Sequence, residues 1–61
     1  MEWHHEVWAE ALWVEHHKGD DGPAFIAAQV TRLALEDDLD GVARWMRIAA
    51  AHDELRAGRP Q

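Results

Sequence analysis

An all-α fold is predicted from three observations. Apolar residues recur at helical spacing along most of the chain, two short Gly- and Asp-bearing breaks interrupt them, and no stretch alternates apolar with polar residues as a half-buried strand would. The reading is a three-helix domain with helices at roughly 3–18, 23–36 and 40–56, occupying residues 1–57, with 58–61 as a frayed tail. Short connections favour antiparallel neighbours, so the second and third helices are expected to form an αα-hairpin against which the first packs.

The first helix carries Trp3, Val7, Ala11 and Val14 on one side when residues advance 100° each, and Trp8 and Leu12 widen that stripe to about half the circumference. Trp13 points elsewhere, among Glu6, Glu10 and His17. The helix is expected to stop at Gly19-Asp20-Asp21-Gly22-Pro23, which combines a helix-ending Gly, two Asp able to cap, and a Pro suited to the first helical position.

In the second helix Ile26, Val30, Leu33 and Ala34 align, and Ala24, Ala27, Ala28, Thr31 and Leu35 extend the apolar arc past half the circumference. Gln29, Arg32 and Glu36 keep a narrow polar strip, and this helix is expected to be the central, most buried one. Phe25 falls near the strip and is placed over the first connection. A second, weaker break at Asp37-Asp38-Leu39-Asp40-Gly41 offers carboxylates to the free amides of the next helix. The third helix aligns Val42, Trp45, Ile48, Ala49, His52 and Leu55, and opposes them with Arg44, Arg47, Ala51 and Glu54.

At 61 residues the chain can build one core, worth about 3–5 kcal/mol of net stability, so reinforcement is expected. Cysteine is absent, which removes disulfides, thiolate zinc sites and thiol nucleophiles. Self-association into a homodimer is the remaining common remedy. The formal charge of −6 is uneven. Residues 1–40 hold ten acids against Lys18 and Arg32, and residues 41–61 hold four Arg against Asp53 and Glu54. An acidic body repels phosphate, so nucleic acid is not an expected partner. It suits a basic protein partner, or head-to-tail contact with the chain's own Arg-bearing end. No apolar run approaches the roughly 20 residues of a membrane span, and Met1 to Glu6 lack the features of a signal peptide. The expected setting is the cytoplasm.

Chemistry has little to stand on. Ser is absent and Thr31 is the one hydroxyl side chain, so no Ser-His-Asp arrangement is available. His4-His5 and His16-His17 invite a metal, but adjacent residues on a helix diverge by 100° and the pairs lie about 17 Å apart along the axis, so no metal site, cofactor or enzymatic activity is expected. His52, on the apolar face of the third helix, reads as a structural histidine making one hydrogen bond rather than as a general base. Carboxylate pairs such as Glu6 with Glu10 read as solvated.

Trp13 is the large apolar side chain that a three-helix core does not need. Either it serves as a contact surface with His17, Glu6 and Glu10, or it closes the end of the domain over Phe25 and the Gly19–Pro23 connection. The expected function is accordingly a small non-enzymatic protein-interaction or self-associating module. The alternatives are a metal- or ligand-responsive regulator using His4, His5, His16, His17 or His52, and a DNA-contacting helix-turn-helix regulator presenting Arg44, Arg47 and Arg56.

Three segments carry a resemblance: Trp8-Ala9-Glu10-Ala11-Leu12, the connector from Gly19 to Ala27, and Gly41-Val42-Ala43-Arg44-Trp45-Met46-Arg47-Ile48-Ala49. Together, over roughly residues 7–55, they look like a family of short, uncharacterised bacterial proteins of unknown function. The likeness implies a standalone small helical protein and no particular activity. Where a Gly-Asp turn is expected, this chain has Asp37-Asp38. The stretch from Ala24 to Leu55 also faintly resembles one tetratricopeptide unit, with Val42, Trp45 and Ala49 near its small and aromatic positions, although no second unit follows.

Overall fold

The computed structural model describes the backbone of residues 2–58 and the side chains from His5 to Gly58. Expectations for Trp3, His4 and the tail at Arg59–Gln61 lie outside the described residues. The described chain is all-helical: α1 spans Glu2–Lys18, a single 3-10 turn spans Gly19–Asp21, α2 spans Gly22–Leu35 and α3 spans Leu39–Ala57.

The first break is not a loop. Lys18, the 3-10 turn and Gly22 follow one another without a non-helical residue, so helical backbone runs in two unbroken stretches, 2–35 and 39–57. The first stretch bends at Gly19, whose φ of 55° lies in the left-handed region open to a residue without Cβ. Pro23 sits in the first turn of α2, where its missing N–H costs nothing, but neither Asp20 nor Asp21 caps through its side chain.

Between α2 and α3 the backbone closes a Schellman motif. Asp38 N–H donates to the Leu33 carbonyl at 2.9 Å and Asp37 N–H to the Ala34 carbonyl at 3.1 Å. This geometry needs a left-handed residue, and Asp37 supplies it with φ 59° in the place where glycine is usual. Asp38 then caps α3 by accepting from Gly41 N–H at 2.9 Å. Gly41 is tied to that cap, since a Cβ there would lie 2.7 Å from Asp38 Oδ2.

The core gathers Val7, Ala11 and Val14 of α1, Ile26 of α2, and Ile48 and Ala51 of α3, with Trp8, Phe25, Trp45, Ala49 and Leu55 packed around them. Three expectations are corrected. The central helix is α3, not α2: α1 and α2 each pack extensively on α3 and only slightly on each other. The result is a flat unit of 39 × 28 × 16 Å in which α2 buries Ile26 and Leu33 but leaves Ala24, Ala27, Ala28, Thr31, Ala34 and Leu35 exposed. Ala51, assigned to the outer side of α3, is buried, because a helix with two neighbours buries a wider arc than its apolar stripe. Leu12 is 53% exposed, beyond the edge of the α1–α3 contact.

Two substitutions test the connection. Replacing Asp37 by Gly relieves a left-handed non-glycine residue and is expected to raise stability by up to about 1 kcal/mol. Asp38→Ala removes the α3 cap and is expected to lower it by about 1 kcal/mol. Urea midpoints measure both, and the opposite signs are the diagnostic result.

Candidate functional site

The outer face of α1 and its junction with the start of α2 hold the residues singled out from the sequence. Trp13 is 44% exposed and at the same time packs beside Phe25, the neighbour that the end-closing reading gave it. Its indole stacks on His17, with ring centroids 4.5 Å apart, and meets Phe25 at 6.1 Å, while Phe25 meets Trp45 edge-on at 6.0 Å. His17 is held by its own helix: Nδ1 lies 3.0 Å from the Trp13 carbonyl, which can only accept, so Nδ1 carries the proton. The Lys18 ammonium stands 4.8 Å from the Phe25 centroid and covers that end of the aromatic row. One side of Trp13 is therefore fixed against the domain and the remainder faces outward.

Glu6 and Glu10 lie along the same face and, with Ala9, Trp13 and Arg44 of α3, line a cavity of about 370 Å³. The four candidates Glu6, Glu10, Trp13 and His17 thus share one surface. Arg44, which the sequence places with Arg47 on the side of α3 opposite its apolar stripe, reaches the site across the α1–α3 contact. No ion pair joins Arg44 to Glu6 or Glu10, and two carboxylates one helical turn apart repel.

A second cluster lies at the opposite end of α3, where all helical segments meet. His52 is 1% exposed, and its Nε2 stands 3.2 Å from Glu15 Oε1, within ion-pair distance but aligned so that no hydrogen bond forms. The expected single hydrogen bond from this side chain is thus not seen at Nε2. The ring fits because Gly22 has no side chain: a Cβ there would lie 2.7 Å from His52 Nε2 and 3.3 Å from Val14 Cγ1.

Arg56 completes the cluster. Nη1 donates to Glu15 Oε1 at 3.2 Å and to the Gly19 carbonyl at 3.0 Å, and Nη2 donates to Asp20 Oδ1 at 3.0 Å. The hydrogen bond that Arg56 donates to Asp20, aided by the nearby Glu15 charge, raises the Arg56 pKa, so the guanidinium stays charged across the ordinary pH range. Arg56 therefore ties the end of α1 to α3, so of the three arginines offered for a DNA-facing surface this one is engaged within the chain, apart from Arg44 and Arg47, which share one side of the helix. Glu15 was overlooked in the sequence although it follows Ala11 by four residues and Val7 by eight, on the flank of the buried stripe. An acid at such a position needs a cationic partner, and that was the available signal.

Among the described residues no group of three or more His, Asp or Glu is disposed to hold a metal, and His4 lies outside them. No helix among them is long and apolar enough to cross a membrane.

Residues 3–59 match the model of a family of unknown function, DUF6961, and the chain belongs to that family. No curated protein and no solved structure matches it.

Gly22→Ala tests the packing under α2. The added methyl has no room beside a buried ring, and overpacking of this kind is expected to cost about 1–3 kcal/mol. Thermal or urea unfolding measures it. The Gly19→Ala change, which meets no atom within 4 Å, separates steric crowding from the backbone strain of a left-handed alanine.

Proposed function

We propose that this member of the family is a small, non-enzymatic three-helix interaction module that forms a homodimer through the outer face of α1 around Trp13. The observation that carries the proposal is the company Trp13 keeps. A half-exposed indole, packed beside His17 and Phe25, shares a cavity with Glu6, Glu10 and Arg44, and no ion pair joins that arginine to either carboxylate. Such a patch is self-complementary. In a two-fold contact the Arg44 of one copy is brought to the carboxylates of the other while the indoles exclude water between them.

Further support comes from composition. Stability at 61 residues without cysteine favours association, and the lack of Ser and Cys leaves little nucleophilic chemistry. A cytoplasmic setting is part of the proposal and fits the absence of cysteine. A histidine-based metal- or ligand-responsive regulator has weaker support: His16 and His17 stand edge to face at 5.1 Å, with His17 already engaged by Trp13, and His52 is sealed in the core.

Analytical ultracentrifugation over a micromolar range tests the reading. A species of twice the 7.0 kDa chain mass is expected, with Trp13→Ala weakening the association by at least about tenfold. A 7.0 kDa species at every concentration, or a dimer indifferent to Trp13→Ala, would overturn it.

A further inference from the structure

A groove of about 400 Å³ runs between α2 and α3, and none of the described residues of α1 lines it. Pro23, Ala27, Val30, Thr31, Met46 and Asp53 are among the residues that line it. It is an apolar surface left open to solvent: Ala27 and Thr31 are exposed and Met46 is 58% exposed. Over its fourteen residues α2 carries one charge, Arg32, and that guanidinium is turned along its own helix to Gln29 and Glu36. No Lys or Arg lines the groove.

Its ends are acidic. At one end the α2–α3 connection presents Asp37, Asp38 and Asp40, all exposed. At the other, exposed Asp21 precedes α2 and Asp53 lies in the groove wall itself, while the neighbouring Asp20 is engaged by Arg56. The starts and ends match in this way because the helices are antiparallel, with Gly22 lying against His52.

We propose that this groove binds an amphipathic helix of a partner protein, one with an apolar stripe flanked at both ends by Lys or Arg. The apolar floor between two helices accepts the stripe as a third helix would, and the acidic ends meet the basic flanks. A second copy of this chain is the poorer occupant. Groove against groove, in either orientation, sets acidic ends on acidic ends, and like charges brought together oppose the contact. The groove is separate from the α1 face, so the proposal does not depend on dimer formation.

The probe is a fluorescent four-turn helical peptide with a leucine stripe and lysines at both ends, titrated into the full-length chain and followed by anisotropy. Its counterpart has every lysine replaced by glutamate. The basic peptide is expected to bind at least about tenfold more tightly than the acidic one, and to weaken as salt is raised. Ala27→Lys and Met46→Lys, at exposed helical positions where far-UV circular dichroism checks folding, are each expected to weaken it by about tenfold, and Trp13→Ala to leave it unchanged. Any of these results with the peptides would overturn the proposal: equal affinity for the two peptides; binding that is indifferent to Ala27→Lys; or binding lost with Trp13→Ala, which places the peptide on α1. Loss of a dimer on Ala27→Lys would equally overturn it, by making a second copy the occupant.

Discussion

The arrangement of this chain depends on one contact, the burial of the His52 imidazole where α1, α2 and α3 come together. A ring sealed from solvent in so small a protein needs space among its neighbours. Gly22 supplies the space, since any Cβ there would collide with the ring, and Glu15 Oε1 stands 3.2 Å from its Nε2. Each comes from a different segment, so the contact fixes where the first turn of α2 and the last turn of α1 lie relative to α3. Arg56 secures the same junction from outside by holding Glu15, the Gly19 carbonyl and Asp20 together. The bend at Gly19 is thus set from two directions, by a left-handed glycine within the chain and by a guanidinium from α3.

Much of the local structure was legible from residue spacing. Val7, Ala11 and Val14 recur at helical intervals and are buried, as are Ile26, Leu33 and Ile48. Gly19 marks the end of α1 for the reason that glycine usually does. What could not be read was the relation between segments. Periodicity assigns an apolar face to a helix but does not say how many neighbours share it, so the wide apolar arc of α2 suggested a central helix when the hub is α3. Ala51 is buried for the same reason. At the candidate site, the grouping of Glu6, Glu10, Trp13 and His17 follows from one helix and was visible, whereas Arg44 joins it only through the packing of α1 on α3. The Glu15–His52 and Glu15–Arg56 pairs span 37 and 41 residues, and no local pattern specifies partners so far apart.

A flat unit follows from having one helix between two others, and flatness leaves both outer layers uncovered. The two faces differ in kind. The α1 face mixes opposite charges around an indole, the feature on which the proposed dimer rests. The α2–α3 face is apolar in the middle with acids toward each end, the feature on which the proposed basic partner rests.

The most direct measurement of this account is a proton nuclear Overhauser experiment on the full-length chain that observes the Hε1 of His52. The account predicts a strong cross-peak to the Gly22 α-protons, because a Cβ on Gly22 would lie only 2.9 Å from the ring's Cε1. A His52 ring showing contacts only within α3 would contradict it, since the three helical segments would then not converge on this residue and neither outer face would be formed as described.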